Sequence, residues 1–364
     1  MPAKASAKRP DPFVDEKAYP FLMSFENELL HWYDQYRRHM PWREDPTPYH
    51  VYLSEIMLQQ TQVDTVRSYY LRFLKRFPTL TDLAESDEEE VLKLWEGLGY
   101  YSRGRNLHKA AIAIEKDFHG EVPMAKSDLL SLPGIGEYTS KAIRSIAFHQ
   151  KEIAVDGNLI RVYSRLDERK EENLEKMKGF CEGYFLDKLQ QGDPSHFNQA
   201  LMDLGEMVCL PKGLPLCEEC PLKGFCQAAK DGTMLDYPPA KKAKEKRQES
   251  WTVLVLFYGD EVAIEKRKDE GLLASLYQFP LLEGKRTKEE VLAALKEKNA
   301  LVDSLESLGE TEHVFSHLIW DLQGYRISLK EKPIQPNLLW VKAKELKKAY
   351  AIPSAFAFYK KKIL

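Results

Sequence analysis

Between residues 24 and 228 the apolar side chains recur with a helical period. Ser24 precedes FENELLHWYDQYRRH, where Phe25, Leu29, Trp32 and Tyr36 share one face and predict an amphipathic helix. A second long pattern covers 49–77 and is interrupted by the polar QQTQ. Ser86 and Glu89 have capping-box spacing ahead of VLKLWEGLG, which ends at glycine. A further run over 101–118 stops at Gly120, and EYTSKAIRSIAF, NLIRVYSRL and HFNQALMDLGEMV keep the same period. Strand-like patterns are scarce here, so 24–228 is expected to be a mainly α domain.

The character changes beyond it. The segment DYPPAKKAKEKRQ carries prolines and then dense charge, which places a linker at 229–249. WTVLVLFYG, EVAIEKRK and IWDLQGYRISLK follow as alternating or continuous β-rich runs, with one helix expected over 287–299. Residues 250–364 therefore form a separate α+β domain. At the other end, 1–23 is a loose tail, basic but without the apolar core of a secretory signal. There is no internal repeat.

A chain of 364 residues accommodates two or three such domains. With 43% hydrophobic and 30% charged residues it has an ordinary soluble balance. Its longest apolar run, WTVLVLFY, suits a buried strand and is far too short for a membrane span. The expectation is a cytoplasmic protein with no membrane partner. The net charge of −3 announces no polyanion, so a nucleic-acid site must rest on local basic residues.

Four of the five cysteines, Cys209, Cys217, Cys220 and Cys226, lie within CLPKGLPLCEECPLKGFC. Their intervals are seven, two and five residues, and Cys181 stands apart. Disulfides do not suit a reducing compartment, and Cys217 and Cys220 are too close for a useful staple. Four thiolates around one compact loop suit a metal centre. Zinc and a [4Fe–4S] cluster both accept four Cys ligands, and spacing alone does not separate them.

LPGIG, at 132–136, sits between helical patterns. Gly134 and Gly136 allow positive φ and close approach of the backbone to a ligand. The N–H groups opening the next helix then suit a DNA phosphate; a plain turn between helices fits the five residues equally well. Twenty residues past Gly136, Asp156 in AVDGN opens another helix, where backbone donors can keep a carboxylate ionised. A hairpin of this type, an Asp before a helix and a four-Cys loop, in that order, closely resemble the helix-hairpin-helix DNA glycosylase superfamily. The resemblance implies a [4Fe–4S] cluster on Cys209, Cys217, Cys220 and Cys226, mainly structural, and Gly134 and Gly136 on the DNA backbone.

Within that superfamily the residue after the hairpin separates two chemistries. Relatives similar to endonuclease III carry a lysine there, which attacks the sugar and cleaves the strand through a Schiff base. Tyr138 occupies that place and cannot form one, which argues for a monofunctional enzyme. Lys141, a turn further on, is assigned to the surface or to a phosphate. PWR, SEIMLQQTQV, WEGLGYYSRGRNLH, VDGN and FNQALMDLG resemble the adenine glycosylases of the MutY family from about residue 25 to 228. The first cysteine interval is one residue longer than that family's usual pattern.

The implied substrate is double-stranded DNA with adenine opposite 8-oxoguanine or guanine, bound by a monomer that extrudes the adenine. Glu55, in the apolar YLSEIML, matches the general acid for N7, with burial expected to raise its pKa; apart from the motif it would be a solvent-facing Glu. Asp156 would stabilise an oxocarbenium-like sugar or bond to it, as in retaining glycosidases. Tyr138 and Asn158 match residues that orient Asp156 and the water. Gln60 would enter the vacated stack, Leu58 and Tyr100 line the distorted site, and Gln199 pair with an adenine edge. Trp42 and Arg43 match the base-pocket wall, although Trp42 alone suits a core.

The C-terminal domain resembles a Nudix-like domain. Its TKEEVLAALKEK lacks the acidic pattern that holds magnesium, so hydrolysis of nucleotides is not expected. Phe315, Ser316 and His317 match the family's 8-oxoguanine reader; the other reading is a β-turn with a core Phe. Three rivals remain: a thymine-mismatch or lyase-type relative, a non-catalytic DNA-damage binder, and a zinc-bound nucleic-acid adaptor. Tyr138 opposes the lyase, the Phe-Ser-His loop the thymine enzyme, and the pair Glu55 and Asp156 the binder.

Overall fold

The computed structural model describes residues 24–239 and 245–363. The expected tail at 1–23, and 240–244 of the expected linker, lie outside them. The chain divides into two compact units, Met1–His39 with Glu137–Ala240 and Met40–Gly136 with Lys241–Leu364. That division does not follow the expected boundary at 229–249 alone, because the helical region itself contributes to both units.

The first unit is built from helices Phe25–Tyr36, Glu137–Ile146, Gly157–Leu166, Leu174–Lys188 and Pro194–Met207. Ser24 caps the first of these by accepting from the Asn27 N–H. Leu29, Phe185, Phe197 and Leu201 are fully buried where these helices meet. The cysteine loop closes against that core, with Cys209, Cys220 and Cys226 packed on it. Part of the expected linker is ordered structure: Gln227–Asp231 is helical, and the Met234 and Tyr237 carbonyls both accept from the buried Arg165.

In the second unit the pattern over 49–77 resolves into helices Pro48–Leu58 and Val63–Arg76, parted at the polar QQTQ. One expectation is corrected here. Ser86 does not cap the helix Glu88–Leu94, whose N-cap is Asp87. Its hydroxyl instead donates back to the Leu83 carbonyl. That bond serves the end of Leu80–Ala84, a short helix with a true capping box of Thr79 and Asp82. Helix Ser102–Phe118 follows and ends at His119, which is left-handed.

The same unit holds a seven-stranded mixed sheet. Its strands are β1 (Arg247–Tyr258), β2 (Glu261–Lys266), β3 (Tyr277–Gln278), β4 (Leu281–Glu283), β5 (Val302–Val314), β6 (Leu318–Leu329) and β7 (Leu338–Lys342). The order is β3-β2-β1-β6-β5, with β4 beside β1 and β7 beside β2. β1 begins at Arg247, inside the segment expected to be linker, and runs parallel to β6 from the Arg247–Leu318 pair onward. Its continuous apolar sequence follows from burial on both faces: Val253, Val255 and Phe257 enter one core cluster, Leu254 and Leu256 the other. The expected helix is Lys288–Glu297, closed by a Thr287/Glu290 capping box. Gly324 in β6 lets Tyr359 cross the sheet, since a Cβ there would lie 2.1 Å from the tyrosine ring. Among the described residues no helix is long and apolar enough to cross a membrane.

Candidate functional site

In the first unit the candidate residues gather around the start of helix Gly157–Leu166. Asp156 is its N-cap and accepts from the Leu159 N–H at 2.8 Å. Sequence favoured an ionised carboxylate held by backbone donors. Burial instead pushes the Asp156 pKa above its ordinary value, outweighing those donors and Arg161, with Glu206 adding to the rise. A carboxylate so desolvated gains from a cation placed beside it.

Asn158, two residues on, is held from both ends of its amide. It donates to Glu206 at 3.1 Å and accepts from Arg161 at 2.8 Å. Gly205 makes room for it: a Cβ at that position would fall 2.6 Å from the Asn158 Cβ. Arg161 also donates to the Gly205 and Cys209 carbonyls, both at 2.7 Å. One buried guanidinium thus joins Asn158 to the first cysteine of the loop. Sequence reading singled out neither Arg161 nor Glu206; a charged residue in an apolar helical run was the available signal for Arg161.

Gln199, on Pro194–Met207, is buried and donates to the Ser195 hydroxyl at 3.0 Å, which spends one of its donors internally. Tyr138 is half-buried at the start of Glu137–Ile146. Lys141 does not stand at the open surface. It is mostly buried and pairs with Glu182 at 2.6 Å.

The four loop cysteines line one cavity together with Val162, Arg165 and Leu222. Burial raises the Cys217, Cys220 and Cys226 pKa values, Cys220 to about 12, and the other thiols of the set push each of them further. Arg165 donates to the Cys209 sulfur at 3.2 Å. A cationic centre within this cavity would relieve that mutual opposition, so the donor set fits a thiolate-bound group. Among the described residues no three His, Cys, Asp or Glu side chains are drawn together as ligands of a single ion.

In the second unit Glu55 lies buried in the helix Pro48–Leu58, where the resemblance placed it and the residue alone suggested the solvent face. Trp42 is buried edge-on against Tyr70, as a core residue would be, while Arg43 and Leu58 are half-buried. Gln60 and Tyr100 are exposed, and both take positive φ, 56° and 45°. At the hairpin only Gly134 is left-handed, with φ 80°, and Asn106 sits beneath it. Gly136 needs no such freedom; its Cβ position faces open space, which leaves the backbone approachable.

Residues 315–317 turn the chain from β5 to β6. Phe315 does not project outward. Its ring packs on Trp320 at 5.1 Å and on His313 at 4.6 Å, anchoring the turn to the sheet's core. Ser316 and His317 are exposed, 3.3 Å apart. Together with Tyr100, Arg105, Leu272 and Pro353 they line one cavity. Arg105 closes part of its wall by donating to the Ala274 carbonyl.

Comparisons with known proteins follow the same segments. A family model described as HhH-GPD superfamily base excision DNA repair protein matches residues 53–183, and a NUDIX domain model matches 252–361. The adenine DNA glycosylase of Rattus norvegicus is 34% identical over 394 residues, covering 90% of this chain and 76% of the rat protein. That of Buchnera aphidicola subsp. Baizongia pistaciae is 35% identical over 301 residues, covering 81% and 83%. That of Homo sapiens is 33% identical over 393 residues, covering 89% and 71%. A solved thermostable thymine-DNA glycosylase is 28% identical with a TM-score of 0.51, covering 57% of this chain and 95% of its own.

Proposed function

This chain belongs to the adenine DNA glycosylase family, and from that membership we propose that it removes adenine mispaired with 8-oxoguanine or guanine without cutting the strand. The observation that carries the mechanism is Asp156, the N-cap of helix Gly157–Leu166, whose carboxylate accepts from the Leu159 N–H and beside which Arg161 and Glu206 hold Asn158.

Glu55 donates its proton to N7 of the extruded adenine. The glycosidic bond then breaks with its electron pair leaving on the base. The positive charge left on the sugar is matched by ionised Asp156, which is poorly solvated before that charge develops. Water adds to the sugar and its proton passes to the Glu55 carboxylate, restoring the acid, with Asn158 and Tyr138 orienting Asp156 and the water. Tyr138, lacking an amine, supports release without a Schiff base. Gln199 keeps its remaining amide groups for the adenine edge.

Cys209, Cys217, Cys220 and Cys226 would hold a [4Fe–4S] cluster, which would tie the loop together at four points and supply no step of the reaction. The cavity of four thiols and the Arg165 donor support that reading. On the opposite strand, Ser316 and His317 supply a donor and an acceptor for the N7 proton and C8 oxygen of 8-oxoguanine. The anchored Phe315 keeps their turn rigid. The thymine-DNA glycosylase structure covers 57% of this chain, which leaves the C-terminal turn without a role in the thymine reading. The protein acts as a monomer in the cytoplasm on double-stranded DNA.

The test is Asp156→Asn, which keeps shape and removes charge. Mismatch binding should survive while base release falls about 100-fold or more. A variant releasing adenine at near the parent rate would remove Asp156 from the mechanism.

A further inference from the structure

Arg103 is a buried arginine in helix Ser102–Phe118 with no place in the chemistry above. The two terminal nitrogens of its guanidinium donate into two neighbouring loops, while the buried Nε makes no hydrogen bond among the described residues. One nitrogen donates to the Ile56, Met57 and Gln59 carbonyls, at 2.9, 2.9 and 2.5 Å. These belong to the end of helix Pro48–Leu58, where carbonyls have no partner within the helix. The other nitrogen donates to the Thr61 hydroxyl at 3.0 Å and to the Leu98 and Gly99 carbonyls at 3.3 and 3.2 Å. The cation also lies 5.4 Å from the Trp95 ring and 5.7 Å from the Tyr100 ring.

Each loop carries one exposed residue in a backbone conformation that side chains other than glycine avoid. Gln60 has φ 56° and Tyr100 has φ 45°, with Tyr100 45% exposed. Such residues persist only where their surroundings over-determine them. Arg103 holds the carbonyl of Gln59 and the hydroxyl of Thr61, on either side of Gln60, and the carbonyl of Gly99, just before Tyr100. A helix end here closes on a side chain from another helix rather than on a local glycine cap, and that side chain fixes the second loop too.

We propose that Arg103 is a positioning residue that presets Gln60 and Tyr100 as a rigid pair of projections for opening the duplex. The proposal rests on the adenine glycosylase reading of these two residues. Geometry of this kind demands a forked donor. Lysine brings a charge but one nitrogen, and cannot span both loops. Thr61 is the only one of the six acceptors that belongs to a side chain, so it can be removed without touching the backbone.

The experiment uses the full chain and a duplex with 2-aminopurine in place of the adenine opposite 8-oxoguanine, whose fluorescence rises on unstacking. Arg103→Lys should slow the rise about 30-fold, within the range expected for an ångström of misplacement. In a background of Gln60→Ala with Tyr100→Ala, the same change should matter by less than about twofold, because the residues it positions are gone. Thr61→Val should slow the parent about threefold with its melting curve unchanged; it decides the matter alone if Arg103→Lys fails to fold. Equal losses from Arg103→Lys in both backgrounds would make Arg103 merely structural and overturn the proposal, as would parent rates in either single variant. If Gln60→Ala with Tyr100→Ala opens the duplex at the parent rate, the reading of those two residues fails as well. If that pair is slow and Arg103→Lys is not, only the proposal fails.

Discussion

Gly205→Ala tests the packing that holds the candidate catalytic carboxylate. Gly205 lies in the helix Pro194–Met207, where alanine ordinarily stabilises by about 0.5–1 kcal/mol. Here the added Cβ would meet the Asn158 Cβ at 2.6 Å, its Cγ at 3.2 Å and its Cα at 3.4 Å. Ordinary carbon contacts start near 3.5 Å, so Asn158 must retreat by about 1 Å. Rotating its side chain does not help, because the Cβ and Cα are fixed to the backbone. Overpacking of this kind costs about 1–3 kcal/mol, more than the helix gains. The retreat also strains the Asn158 bonds to Glu206 and Arg161, and it moves the residue two positions from Asp156. We expect a net loss of about 1–2 kcal/mol in denaturant unfolding and a fall of about 10- to 100-fold in single-turnover adenine release. Gly179→Ala is the control. It lies in helix Leu174–Lys188 with nothing within 4 Å of its Cβ position, and should stabilise. If Gly205→Ala stabilises as Gly179→Ala does and keeps the parent rate, the packing argument is wrong.

Asp156 also predicts a pH dependence. Its folded pKa is raised, so the carboxylate costs stability above that pKa and nothing below its unfolded value. Asp156→Asn should therefore melt higher than the parent at neutral pH, with the difference narrowing as pH falls toward the ordinary carboxylate range; a constant difference would contradict the burial. Cys217→Ala removes one of the four thiols around the loop cavity and should abolish visible absorption and weaken DNA binding; an iron-free parent with full activity would refute the cluster. Replacing Ser316 and His317 by Ala should reduce the preference for adenine opposite 8-oxoguanine over adenine opposite guanine by about 1–2 kcal/mol. Equal losses on both substrates would make the turn structural.

What sequence could reveal followed from local signals. Helical periodicity marked the runs flanking QQTQ, and the continuous apolar stretch at 251–258 announced a strand buried on both faces. Glu55 was legible through the family motif alone, since its residue type in a helix otherwise suggests the solvent face. Other features depend on partners distant in sequence. Ser86 has capping-box spacing, yet its hydroxyl turned back to Leu83. Gly205 looked like an ordinary helical glycine until Asn158 was found against it. Arg161 carries no local motif, and Arg103 lies in WEGLGYYSRGRNLH without a role the motif assigns; each collects carbonyls from a segment more than forty positions away in the chain. Phe315 could have faced DNA or the core, and only the positions of His313 and Trp320 decide for the core.

The central claim is adenine release without strand cleavage, and one assay measures both halves. Labelled duplexes with adenine opposite 8-oxoguanine, guanine, thymine and cytosine are incubated with the protein, and each sample is divided before alkali treatment. The account predicts free adenine from the first two duplexes and an intact strand until alkali cuts at the abasic site. Strand cleavage before alkali, or adenine left in place opposite 8-oxoguanine, would contradict it.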